Sequence, residues 1–147
     1  MNRIRTLFAA IALAVPAAAI ASGQIAMHRD PGCGCCEKWA AQVRARFGRH
    51  VQIIDDAMRA GFSKSAGVPA DLMSCHTAVI DGMTFEGHVP IADMKRALAQ
   101  RPKGVTGLAV AGMPIGSPGM AMAGMKAQPF DVIAFGPGVR RVFTHHG

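Results

Sequence analysis

Four cysteines set the chemistry open to this sequence: Cys33, Cys35, Cys36 and Cys75. Three of them crowd into Cys33-Gly34-Cys35-Cys36, an arrangement poorly suited to stapling loops and well suited to collecting sulfur. Thiolate both attacks disulfides and binds metals. On the residues alone, two uses stand side by side. Cys33 and Cys36 have the Cys-x-x-Cys spacing of a thiol–disulfide exchanger, or all four cysteines serve one metal centre. Cys35 weighs against exchange, because a third thiol beside the reactive pair invites scrambling. Residues 35 and 36 lie about 100° apart around a helix, so they reach one tetrahedral ion awkwardly and bridge several ions more easily. Clustered soft thiolates select Cu(I), Zn(II) or iron–sulfur clusters, and a one-ion structural zinc site is a third alternative. The methionines tilt the choice toward copper, since thioether is a good ligand for Cu(I). Met113, Met120, Met122 and Met125 lie in a stretch rich in Gly and Pro, whereas Met58 and Met94 fall at helical spacing and are expected in the core.

The elements that position these residues follow from periodicity and turn chemistry. Gln24 to His28 reads as a first strand and Asp30-Pro31-Gly32 as a turn. Beyond it Cys36, Trp39, Ala40, Val43 and Phe47 fall on one helical stripe that Gly48 ends, and His50 to Ile54 reads as a second strand. The cysteine trio therefore sits at a strand-to-helix turn, where unpaired backbone N–H groups favour thiolate. Asp56 to Ala66 is a weaker helix, stopped by Gly67-Val68-Pro69. Cys75 to Ile80, Asp81-Gly82 and Met83 to His88 form a hairpin with a two-residue type I′ turn. Stepping outward from the Ile80–Met83 pair places Ala78 opposite Phe85 and Cys75 opposite His88, with Cβ atoms about 4.5–5.5 Å apart. In a regular strand His76 then points to the other face, unless a bulge intervenes.

Pro90 opens a further helix with Ile91, Met94 and Leu98 on one stripe, ending before Pro102. Gly107 to Gly124 is expected to be an ordered loop or flap. Phe130 to Phe135 and Val139 to Thr144 form a closing hairpin, and His145 and His146 a solvated tail. His28 and His50 carry no specific signal. A βαβ unit followed by a hairpin and a helix suits an α/β, thioredoxin-like sandwich, extended here by a Met-rich loop and a second hairpin.

The chain of 147 residues is 50% apolar, 17% charged and 5% aromatic, enough for one domain and unlike a disordered, collagen-like or coiled-coil chain. Arg3 and Arg5, the apolar run Leu7 to Val15 and the small-x-small Ala19-Ile20-Ala21 read as a signal peptide over residues 1–21, ahead of a domain over 22–147. Leu7 to Ala21 is shorter than the roughly 20 residues a membrane span needs, and Pro16 interrupts it, so no stable membrane insertion follows cleavage. Two of the 16 basic residues leave with the leader, and the remaining 14 face 9 acidic ones. They are scattered and few aromatics accompany them, which argues against a nucleic-acid partner.

Asp30-Pro31-Gly32-Cys33-Gly34-Cys35-Cys36-Glu37-Lys38-Trp39, Gly67-Val68-Pro69, Ser74-Cys75-His76-Thr77, Glu86-Gly87-His88-Val89-Pro90 and Gly112-Met113-Pro114-Ile115-Gly116-Ser117-Pro118-Gly119-Met120 together resemble the CopG family of periplasmic copper-resistance proteins. The resemblance runs from about Ala26 to the C-terminus. It implies a thioredoxin-like fold with a cysteine-bridged, multinuclear copper site, a periplasmic location, and dealings with other periplasmic copper-handling proteins. It further implies Cu(I) as the bound species, with interconversion of Cu(I) and Cu(II) as an extension toward enzyme activity. By position, Cys33, Cys35, Cys36 and Cys75 become the bridging thiolates, and His88 and His76 complete the coordination. Gln42, Ala121 and Met83 depart from the pattern, standing where relatives commonly carry a histidine, an acidic residue and a tyrosine.

Overall fold

The computed structural model describes residues 23–147; the expected leader lies outside the described residues. Strand β1 (Ile25–Arg29) leads through a turn into helix α1 (Gly34–Phe47), and β2 (Val51–Asp55) returns parallel to β1. Helix α2 (Arg59–Ser65) and a 3₁₀ turn (Ala70–Leu72) precede β3 (His76–Ile80) and β4 (Met83–Glu86). Helix α3 (Ile91–Gln100), β5 (Gly107–Ala109), β6 (Phe130–Gly136) and β7 (Val139–His146) complete the chain. The seven strands form one sheet in the order β2-β1-β3-β4-β5-β6-β7.

Strand alternation assigns the two faces of that sheet. Ile25 and Met27 of β1, Ala78 and Ile80 of β3, and Met83 and Phe85 of β4 point to one face. There they meet Trp39, Ala40 and Val43 of α1 and Met94 and Ala97 of α3 in one continuous core. The alternate residues turn the other way, where His28 stacks on Phe62 and Thr77 shares a hydrogen bond with Ser63, both partners belonging to α2. Helices on both sides of a β2-β1-β3-β4 sheet, with β3 antiparallel to β1, make the thioredoxin-like sandwich.

The expected hairpin register is the observed one. Ile80 pairs with Met83 and Ala78 with Phe85, and both Asp81 and Gly82 have positive φ, as a type I′ turn demands. Three expectations fail. Gly107 to Ala109 is not loop but a sheet strand parallel to β4; a Cβ on Gly107 would come within 2.4 Å of the Thr84 carbonyl and the Phe135 ring. A three-residue strand carries too few side chains for alternation to show. His145 and His146 are not a free tail, because β7 runs to His146, which stacks on Phe130 and bonds Asp93. Met58 is exposed rather than in the core, since α2 starts only after it, at Arg59.

Candidate metal centre

Two distant stretches meet at one end of the sheet because β3 runs antiparallel beside β1, so the segment entering β3 starts where β1 ends. The Asp30 N–H donates to the Cys75 carbonyl at 3.0 Å and ties the two together. Past the turn, Cys33 is the N-cap of α1 and Cys35 and Cys36 lie in its first turn. The Arg29 guanidinium donates to the Cys33 carbonyl at 2.9 Å, holding the turn to the end of β1.

The four sulfurs lie within 4.8 Å of one another. Cys33 and Cys36 are joined in a disulfide, while Cys35 and Cys75 are free. Cys35 Sγ is 3.4 Å from Cys33 Sγ, and Cys75 Sγ is 3.4 Å from Cys36 Sγ. Cys36 and Cys75 are buried, Cys33 and Cys35 half-buried. Burial, reinforced by the nearby Cys35, pushes the Cys75 thiol up to about 12. A metal ion bound by Cys75 must therefore displace a proton.

Both histidines reach the same spot. His88 Nε2 lies 3.2 Å and His76 Nδ1 3.5 Å from Cys75 Sγ. His88 is where the hairpin register placed it, although the ladder stops short of it, at Thr77–Glu86. His76 is a correction: it lies on the cysteine face, its ring 4.5 Å from that of Trp39 and 5.0 Å from that of His88. Counting from Ala78, alternation puts His76 on the α1 side and would turn Cys75 away. Cys75 stays because it precedes the strand, and His88 joins it because Gly87, at φ +68°, breaks the alternation after Glu86. Burial lowers the pKa of both imidazoles, that of His76 most, so each is neutral near pH 7 and keeps a lone pair. His88 Nδ1 bonds the Pro118 carbonyl at 2.8 Å; as donor there it leaves the Nε2 lone pair aimed at Cys75 Sγ. Buried His76 Nε2 finds no hydrogen-bond partner among the described residues.

Pro118 belongs to the loop that covers the site. Gly119 beside it, at φ +86°, packs so tightly on α1 that a Cβ would come within 2.6 Å of the Cys35 carbonyl and 3.0 Å of the Trp39 nitrogen. From below, the opposite face of the sheet contributes a buried charge. Glu86 accepts from the Ser74 N–H at 2.6 Å and from the Thr77 hydroxyl, and pairs with Arg59, whose Nε bonds Asp30 at 2.8 Å. One carboxylate and one guanidinium thus join the segments carrying Cys33 and Cys75. Pattern reading did not single out Glu86, Arg59, Pro118 or Gly119 as supports. Apart from the place of Glu86, Pro118 and Gly119 in the family motifs, no local signal marks them, because their partners come from other elements.

Comparison with known proteins agrees with this geometry. The family model described as "Protein of unknown function, DUF411" matches residues 72–120, which carry Cys75, His76, His88 and the covering loop as far as Met120. Two solved structures, both of copper resistance protein CopG in two forms, superpose with TM-scores of 0.76 at 36% and 37% identity. They cover 84% of this chain, and 98% and 96% of their own. The chain belongs to the CopG family. No curated protein matches it. Within the CopG frame, the stretch matched by the family model takes in Cys75 and the hairpin that follows it.

Proposed function

We propose that this CopG-family chain is an exported, periplasmic copper-resistance protein that holds several Cu(I) ions in a cysteine-bridged site. Cys33, Cys35, Cys36 and Cys75 act as bridging thiolates, and His88 and His76 complete the coordination. The observation that carries this reading is the convergence of all four sulfurs within 4.8 Å, from stretches 39 residues apart. The donor set fits: thiolates favour Cu(I), and the neutral imidazoles add nitrogen ligands, His88 through Nε2 and His76 through Nδ1, the atoms nearest Cys75 Sγ. With imidazole also able to serve Cu(II), electron exchange at the bound copper is the enzymatic extension.

The Cys33–Cys36 disulfide favours a second reading, thiol–disulfide exchange. It also bears on the first, since sulfurs bonded to each other cannot act as thiolate bridges. Loading then requires a thiol reductant to deliver two electrons and two protons before copper displaces the protons. Anaerobically reduced protein loaded with Cu(I) should hold more than one copper per chain with no thiol left titratable. One copper or less, with two thiols unprotected, would count against the cluster. Insulin-reducing activity that survives Cys75→Ser would favour exchange.

A further inference from the structure

Ten methionines occur in the sequence, and among the described residues two groups of them contrast in placement. Met27, Met83 and Met94 are buried in the core. Met113, Met122 and Met125 are 52%, 54% and 55% exposed, and Met120 is half-buried. None of these last four packs in either apolar cluster of the fold, so gap-filling, the ordinary use of methionine, does not account for them.

Three of the four are gathered by backbone geometry. The Met125 N–H donates to the Met122 carbonyl at 3.2 Å, closing a turn that brings the two residues together. Met120 lies two residues earlier, its own N–H bonded to the Ser117 carbonyl at 2.8 Å. The loop is closed at its base, where Ile115 and Gln128 exchange two hydrogen bonds. At its inner end Gly119 touches the first turn of α1, and Pro118 holds His88. Met120 therefore directly follows the residue that packs on the cysteine turn, and Met122 and Met125 lie farther along in the exposed part of the loop.

We propose that Met120, Met122 and Met125 form a second, weaker Cu(I) site that receives the ion from solution and passes it to the cysteines. This inference rests on the copper reading above. Thioether is soft, neutral and free of proton competition, so it captures Cu(I) without first losing a proton and releases it to stronger thiolates. In the transfer, thioether–copper bonds are exchanged for thiolate–copper bonds. The metal stays Cu(I), and protons from the incoming thiols go to water.

The test uses Ag(I) alone as a redox-inert probe, on protein with ¹³C-methyl methionine and the changes Cys35→Ser and Cys75→Ser. That variant keeps the Cys33–Cys36 disulfide and has no free thiol. The methyl signals of Met120, Met122 and Met125 should shift together, while those of buried Met27 and isolated, exposed Met58 stay in place. No shift in the loop, or an equal shift at Met58, would overturn the site. In the reduced chain with its cysteines intact, Met120→Leu with Met122→Leu and Met125→Leu should slow Cu(I) loading of the cysteines about tenfold, with the copper left after desalting removes weakly held ion unchanged. A loading rate equal to that of the parent would overturn the relay. Should the parent retain no copper while the loop methyls still shift, the thioether site stands and the thiolate cluster falls.

Discussion

Glu86 Oε1 accepts the Ser74 N–H at 2.6 Å, reaching from the face of the sheet opposite the cysteines to hold the residue just before Cys75. Its side chain is fully buried and shares Arg59 with Asp30, which opens the turn to Cys33. A carboxylate in this position holds the Cys75 segment directly and the Cys33 turn through Arg59 and Asp30, from the side away from the sulfurs. Removing it leaves a buried guanidinium short of a partner and the half-buried Ser74 N–H without its acceptor. Glu86→Ala should therefore destabilise the protein by about 3–5 kcal/mol, and Glu86→Gln, which keeps an acceptor, by clearly less. Urea unfolding of the metal-free protein measures both, and equal losses would show that the charge and its acceptors are not what matters.

Thiol accessibility should follow burial. In the oxidised protein Cys35 is half-buried and Cys75 is buried and protonated, while Cys33 and Cys36 are paired. An alkylating reagent should label Cys35 readily, Cys75 only on unfolding, and Cys33 and Cys36 only after reduction. Mass spectrometry of the labelled peptides reads the order, and fast labelling of Cys75 in the folded, oxidised state would contradict it.

Gly119→Ala tests whether the covering loop is held by contact with α1. The added Cβ meets the Cys35 carbonyl at 2.6 Å, and the residue sits at φ +86°, where any side chain is strained. A loss of about 1–3 kcal/mol is expected. The loop should also lift, loosening the bond from His88 to Pro118, so a bound copper ion should exchange faster with an external chelator. An exchange rate equal to that of the parent would leave the loop with no part in retention.

The two imidazoles differ in what they contribute. His88 is oriented by Pro118 toward Cys75, whereas His76 packs beside Trp39 with its Nε2 unbonded. His88→Ala should weaken copper retention on the order of 10–100-fold and more than His76→Ala does. Chelator competition on both variants decides, and the reverse order would show that the nitrogen nearer Cys75 is not the stronger ligand.

Acid should destabilise the metal-free fold through the same pair. Unfolded, each imidazole takes up a proton near 6.5; folded, burial lowers both values. Below 6.5 the unfolded chain therefore binds more protons, and stability present above that pH is lost as pH falls through the window down to the lowered values. Glu86 works the other way, because burial raises its carboxyl above 4.5 and acid then favours the fold. The urea midpoint should drop between about pH 7.5 and 5.5, and His76→Leu should flatten the slope. A slope unchanged in that variant would assign the acid sensitivity elsewhere.

Where chemistry followed from residues near in sequence, the chain spoke for itself. The Cys33-Gly34-Cys35-Cys36 turn, the apolar stripe from Cys36 to Phe47 and the Asp81-Gly82 hairpin with its register are all local, governed by the 3.6 and 2.0 residue periods and by the positive φ of a type I′ turn. That register pointed to Cys75 and His88 as neighbours, although the ladder ends at Thr77–Glu86 and the backbone beyond it makes the contact. The tertiary structure decided what depends on partners far along the chain. It closed Cys33 with Cys36, brought Cys75 to the trio through the antiparallel β1–β3 pairing, and kept Cys75 beside the inward-facing His76 where the strand pattern ended. It also put Glu86, Arg59, Pro118 and Gly119 into service, since a buried charge and a close backbone approach are defined by what packs against them, which no local pattern records.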